Sequence, residues 1–229
     1  MDKQSEHIRR YEIEMLKPWF KKGNRVLEIG GEYGLQASII ASWGCEVVSI
    51  DVAPKESEYY TVLPCDGVLL PFRNETFDII FSSNTLEHVK HLNLLLAEVR
   101  RVMVTEGWGI HVMPNSVWRF WSNLAHYLDL IRKFLTGVYG LSYIIRRELF
   151  PRRHGEKGNV LSEIYYFSKI YWKRFLEASE FTVVRIEGNG LFYMSPCIFP
   201  NASLKIGRIL SRILGSVSNT YFTHKSELK

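Results

Sequence analysis

Cysteine is scarce in this sequence. The 229 residues contain three, Cys45, Cys65 and Cys197. Their odd number and wide spacing exclude a disulfide framework, and no C-x-x-C pair or Cys/His cluster offers a zinc site. Three reduced thiols and no bound metal are the expectation. Long apolar runs are also missing. Phe134–Ile145 carries no charge but is too short for a crossing, which needs about 20 residues. Residues 188–204 form a longer stretch that Pro196 and Pro200 break. Residues 1–17 are charged throughout, unlike a secretory signal. A cytoplasmic protein is therefore expected, with contact at a membrane surface left open. Internal repeats and low-complexity tracts are absent too, and at 46% hydrophobic and 23% charged residues the chain is not a disordered one. Its length suits one domain able to build a core without staples.

Charge is unevenly spread. Lys and Arg number 29 against 24 Asp and Glu, a net +5. Residues 1–114 carry 12 basic and 16 acidic side chains, net −4, whereas residues 115–229 carry 17 and 8, net +9. Two halves of opposite sign imply different partners for each.

The apolar pattern alternates between two periods. Residues 5–20 read as an amphipathic helix ending near Pro18. Arg25–Ile29 and Glu46–Asp51 read as strands around a helix over 34–43, Tyr60–Cys65 as a weaker strand, and Phe77–Ser82 as a fourth. A helix over Leu92–Met103 and a strand over Gly107–Met113 follow. Strands alternating with helices indicate a parallel sheet in an open α/β fold. Residues 115–167 break the rhythm with aromatic and basic side chains. A helix capped by Ser168, a strand over Phe181–Glu187, a candidate seventh strand over Leu191–Cys197 and a last helix over 204–217 resume it. Residues 1–229 are thus expected to form one domain, with 115–167 as an insertion after the fifth strand, near the carboxyl ends of the strands where a substrate lid would sit.

Chemistry concentrates at Val26-Leu-Glu-Ile-Gly-Gly-Glu-Tyr-Gly34. A buried strand ends in an acid and runs into a glycine-rich turn before a helix, whose first amides favour an anion. Asp51 ends the next strand, where a carboxylate can accept both hydroxyl protons of a ribose. Asp66-Gly67 follows the third strand, where an acid can accept from an adenine amino group. The G-x-G-x-x-G of nicotinamide dehydrogenases is not present, because Glu32 and Leu35 stand at two of its glycine positions. Taken singly, Asp51 also reads as a helix cap and Asp66-Gly67 as a plain turn.

The ordered set resembles the seven-stranded, S-adenosylmethionine-dependent methyltransferases of the small type sharing an LPF, FDxIxSxxxLEHV, EVRRVLxPGG signature. Here those positions read Leu70-Pro-Phe72, Phe77–Ser82, Leu86-Glu-His-Val89 and Glu98–Gly107, and the resemblance spans roughly residues 24–114. It implies a Rossmann-like, open, mostly parallel seven-stranded sheet with helices on both faces. It also implies S-adenosylmethionine as cofactor. Glu28, Gly30, Gly31 and Gly34 would form the methionine-side loop, Asp51 and Val52 would meet the ribose, Asp66 and Gly67 the adenine, and Asn84 would line the pocket. One departure stands out. The family's loop is usually acid-x-Gly-x-Gly-x-Gly, and Glu32 takes the middle glycine position. A side chain turned inward there would repel a ligand carboxylate.

Two histidines are candidate bases for deprotonating an acceptor. His88 follows the fourth strand, and His154 lies in the Arg152-Arg-His-Gly-Glu156 turn of the insertion, where Glu156 is placed to orient an imidazole. The arginine-rich insertion suits an anionic, sugar or lipid-linked small-molecule acceptor. Nucleic acid is the less favoured partner, since no RNA-binding module is present. The last helix repeats apolar residues at helical spacing with Lys205, Arg208 and Arg212 on another face. It is suited to docking on the core, on a second subunit as a homodimer, or on an anionic membrane. The function expected is methyl transfer. The alternatives are a degenerate cofactor domain acting as a non-catalytic scaffold and an RNA methyltransferase.

Overall fold

The computed structural model describes residues 1–56, 59–193 and 204–226. The elements run α1 (Lys3–Leu16), β1 (Arg25–Ile29), α2 (Leu35–Ser42), β2 (Glu46–Asp51), β3 (Val62–Pro64), β4 (Phe77–Ser83), α3 (Leu92–Val102) and β5 (Met103–Pro114). They continue with α4 (Ser116–Leu135), α5 (Leu141–Tyr143), α6 (Glu163–Tyr166), α7 (Lys169–Ala178), β6 (Phe181–Gly188), α8 (Leu204–Leu214) and β7 (Ser218–Lys225). The seven strands form one sheet in the order β3-β2-β1-β4-β5-β7-β6. β1 pairs in parallel with both β2 and β4, β2 with β3, and β4 with β5, while β6 and β7 are antiparallel. This is the expected open, mostly parallel α/β sheet. Strand order reverses at β1/β4, the place where such sheets bind ligands at the carboxyl ends of their strands.

The chain divides into two compact units. Unit 1 comprises Met1–Met113, Lys173–Asn189 and Asn219–Lys229; unit 2 comprises Pro114–Trp172 and Gly190–Ser218. In unit 1, alternate strand residues Val26, Ile79, Phe81, Ile110, Val112 and Phe222 pack against Ile13 and Leu16 of α1 and Leu35, Ile39 and Ile40 of α2. The intervening Leu27 and Ile80 are equally buried, as are Leu92, Leu95, Leu96 and Val99 of α3. Burial on both faces explains why these strands read as continuous apolar runs. In unit 2, Trp118, Trp121 and Ala125 of α4 pack with Phe192, Val217 and with Leu210 and Leu214 of α8.

The seventh strand is not where the sequence placed it. Leu191–Tyr193 has no strand structure, and the rest of the Leu191–Cys197 candidate, Cys197 included, lies outside the described residues. β7 instead takes Ser218–Lys225, between β5 and β6. An interior strand buries both faces, so Tyr221 and Phe222 are both covered, along with Asn219, Thr220 and Thr223. α8 stops at Leu214, because Gly215 follows with φ +90°. Ser168 does act at the start of α7, its Oγ accepting from the Tyr171 amide at 3.1 Å. Among the described residues, no helix is long and apolar enough to cross a membrane.

Candidate cofactor pocket

A cavity of about 480 Å³ opens in unit 1 at the carboxyl ends of β1, β2 and β4, a size suited to a small-molecule cofactor. Gly30, Gly31, Asp51, Val52, Asp66, Gly67 and Asn84 all line it. The backbone explains why glycine is required in the turn. Gly30 sits at φ +82°, and a Cβ there would lie 2.1 Å from the Thr85 hydroxyl; one on Gly31 would lie 2.0 Å from Ser49 Oγ. Both amides donate to the Ile50 carbonyl, at 2.8 and 3.1 Å, which folds the turn back over β2. Gly34, at φ +72° before α2, abuts the Tyr60 carbonyl. It supports the turn from behind and does not line the cavity.

Glu28 also lies behind the wall. Its carboxylate is buried and accepts from Ser49 Oγ at 2.5 Å. Burial pushes its pKa up to about 7, against the pull of the Ser49 hydrogen bond. Asp51 is a carboxylate that lines the cavity at the end of β2. Its Oδ2 accepts from the Glu32 amide at 3.0 Å and its Oδ1 from the Ala53 amide at 2.8 Å. Each oxygen holds one backbone donor and retains a second lone pair, so two adjacent hydroxyls can be received at an already oriented carboxylate. Asp66 Oδ1 accepts from the Val68 amide at 3.1 Å, fixing the next loop. Asn84 has φ +52°, and its amide donates to the Val112 carbonyl at 2.7 Å.

Glu32 stands at the rim of the cavity, which it helps to line. Its backbone adopts φ +46°, and its half-exposed side chain reaches Lys55, 3.7 Å away. The position calls for a left-handed backbone, which glycine meets most easily but other residues can adopt at a cost.

His88 lines the cavity and is 45% exposed, with Nε2 3.8 Å from the Glu87 carboxylate. Glu87 itself is buried, and burial pushes its pKa up to about 7. Arg9 of α1 also lines the cavity; its Nη1 donates to Glu12 at 3.0 Å and to Ser83 at 3.3 Å. Asn189 holds the other oxygen of buried Glu12 at 2.9 Å. Neither Arg9 nor Glu87 is singled out by sequence reasoning. An i, i+3 Arg-Glu pair on an N-terminal helix looks like an ordinary solvated pair, and Glu87 hides within a motif read for its histidine.

His154 belongs to unit 2. Its ring lies against Trp118, with centroids 4.6 Å apart. The carboxylate holding its turn is Glu163, whose Oε1 accepts from the amides of His154 and Gly155 at 2.8 Å each. Glu163 Oε2 is 2.6 Å from Arg119 Nη2 in a fully buried ion pair, and Arg119 also donates to the Arg152 carbonyl at 2.9 Å. Glu156, expected to orient the imidazole, instead lies 3.9 Å from Arg153.

Comparison with known proteins agrees with this geometry. Residues 27–110 match the family described as "Methyltransferase domain". An uncharacterized methyltransferase of Mycobacterium marinum is 28% identical over 173 residues, 69% of this chain and 62% of its own. One from Mycobacterium sp. strain JLS is 32% identical over 103 residues, 42% of this chain and 40% of its own. The chain thus spans less than two thirds of the length of these curated relatives. Among solved structures, the Burkholderia thailandensis 1,6-didemethyltoxoflavin-N1-methyltransferase, with that compound and S-adenosylhomocysteine bound, superposes with a TM-score of 0.59 at 13% identity. The match covers 98% of this chain and 80% of that one. A Mesorhizobium loti S-adenosylmethionine-dependent methyltransferase gives 0.58 at 13% identity, covering 94% and 98%. The sheet order agrees with these matches: residues 27–110 match a methyltransferase domain, and the chain shares the fold of the S-adenosylmethionine-dependent methyltransferases.

Proposed function

We propose that the protein transfers a methyl group from S-adenosylmethionine to a small-molecule acceptor of anionic, sugar or lipid-linked type. The observation carrying this reading is the cradle itself. At Gly30 and Gly31 a Cβ would collide with Thr85 and Ser49, so only glycine lets the turn pack this closely against its wall, and the turn lines the cavity together with an Asp51 carboxylate that keeps free lone pairs. In this reading Asp51 receives the ribose hydroxyls with Val52 beside it, and Asp66-Gly67 bounds the adenine end. Asn84 and the Gly30-Gly31 turn, backed by Glu28 and Gly34, shape the methionine end. The bound cofactor supplies an electrophilic methyl on a sulfonium. The chain's own residues position the acceptor, exclude water and receive a proton. His88 and His154 are the proposed bases, with Glu87 beside the first and the Glu163-held turn carrying the second. The outward course of Glu32 supports an intact site over a degenerate one, and the twelve basic against four acidic residues of unit 2, net +8, favour an anionic acceptor.

Calorimetric titration with S-adenosylmethionine tests the core of this reading. Binding is expected for the native chain and at least tenfold weaker binding for Asp51→Ala. Neither heat nor a thermal shift at millimolar cofactor would refute it. His154→Ala and His88→Ala are expected to keep cofactor affinity, and replacement of the true base should cost roughly 10²–10⁴-fold in turnover. Undiminished turnover removes that histidine from the role.

A further inference from the structure

α4 is apolar on more than its core-facing side. It buries Arg119, Asn123, Ala125 and Leu130, while Phe120 (53% exposed), Leu128 (54%), Ile131 (56%) and Leu135 (77%) look outward. These residues, with Leu124 and Phe134, recur at three- and four-residue spacing, so they form one stripe about 22 Å long. α8 repeats the feature. Gly207, Leu210 and Leu214 face the interior of unit 2, whereas Ile209 (60%) and Ile213 (76%) stand exposed. On a helical wheel the exposed isoleucines lie between that inward face and Lys205, Arg208 and Arg212. The helices meet where Trp121 Nε1 donates to the Leu214 carbonyl at 3.3 Å, and Trp121, Leu210 and Leu214 pack in one cluster.

Monomeric soluble proteins rarely expose contiguous apolar surface of this kind without a partner. Charge selects the partner. Unit 2 carries net +8, and residues 190–218 contain three basic and no acidic side chains. An apolar stripe flanked by Lys and Arg is the pattern of a helix lying in a lipid interface, where aliphatic side chains enter the acyl boundary and cations meet anionic headgroups. A self-complementary protein interface would bring these like charges together.

We propose that the α4–α8 face of unit 2 docks on the surface of an anionic lipid bilayer. The proposal does not depend on the methyl-transfer reading, and each stands or falls by its own experiment. The full chain is mixed with phosphatidylcholine vesicles containing phosphatidylglycerol, or with phosphatidylcholine vesicles alone, and sedimented. Strong co-sedimentation with the anionic vesicles at low salt is expected, falling at least tenfold in affinity on neutral vesicles and declining as salt screens the headgroups. Ile209→Asp/Ile213→Asp and, separately, Leu128→Asp/Ile131→Asp should each weaken binding at least tenfold; both alter exposed positions, and an unchanged melting temperature certifies their fold. No co-sedimentation, equal binding to both vesicle types, or variants of native melting temperature that bind as well as the native chain would overturn the proposal. A stable dimer by light scattering that the same variants dissociate would overturn it as well, by assigning the face to a second copy.

Discussion

Glu28→Gln tests whether the wall of the cofactor cradle holds a protonated acid. The carboxyl is 2% exposed, and its Oε2 accepts from Ser49 Oγ at 2.5 Å. Glutamine keeps shape, volume and an acceptor oxygen for Ser49, so the substitution removes mainly the ability to ionise. The unfolded carboxyl titrates near 4.5 and the folded one near 7. The folded state therefore binds the proton more tightly. The stability this contributes is full below pH 4.5 and lost as pH rises to 7, with no further change above. One pH unit between the two titrations is worth about 1.4 kcal/mol, so Glu28 should cost the native protein about 2.5 kcal/mol between pH 5 and pH 8. For a chain of this size that corresponds to a melting temperature about 5–10 °C lower. Glu87 titrates in the same window and adds a similar slope. His111 acts oppositely: buried and held neutral down to about pH 4, it removes stability as pH falls from 6.5. Both are shared by native and variant chains and cancel in the comparison. Melting curves of the cofactor-free proteins at half-unit pH steps should diverge, the variant gaining about 2.5 kcal/mol relative to the native chain from pH 5 to pH 8. Parallel curves would show that Glu28 is ionised in the folded state and that the reasoning from burial fails.

Three further substitutions probe separate parts of the molecule. Gly31→Ala places a methyl 2.0 Å from Ser49 Oγ and 2.9 Å from Glu28 Oε2; it should cost about 1–3 kcal/mol in stability and at least tenfold in cofactor affinity by calorimetry, and native affinity would remove this turn from the site. Glu32→Gly relieves the left-handed backbone at φ +46°, a cost of about 1–2 kcal/mol that the freer unfolded glycine largely offsets. Melting temperature and cofactor affinity should both stay near native, and a large gain in affinity would mean that the side chain obstructs the pocket after all. Arg119→Met strands the fully buried Glu163 carboxylate and should cost about 3–5 kcal/mol in urea denaturation. Arg119→Met/Glu163→Gln should recover much of that loss, and a single-variant cost below about 1 kcal/mol would refute the assignment of the pair as the clamp of the His154 turn.

What the sequence made legible was backbone chemistry. β1 could be read to the residue because a doubly covered strand is a short apolar run, and the glycine turn because its conformation admits few side chains. β7 could not be read. Ser218-Asn219-Thr220 looks like a loop, and only its place between β5 and β6 makes it a strand, with polar groups such as Thr223 Oγ1 finding main-chain acceptors, here the Gly109 carbonyl at 3.3 Å. Arg9 and Glu87 were invisible for a related reason: their roles come from what distant segments bring beside them. Glu32 shows the limit from the other side. Read as a letter in a glycine pattern, it looks like damage to a binding loop. The pattern, however, encodes a left-handed torsion at that position and lack of space at its neighbours. At Gly31 a Cβ has no room, whereas at Glu32 the side chain leaves toward solvent and Lys55. A glycine lost where space is the constraint forces its neighbours apart; one lost where only torsion is the constraint costs about 1–2 kcal/mol of backbone strain.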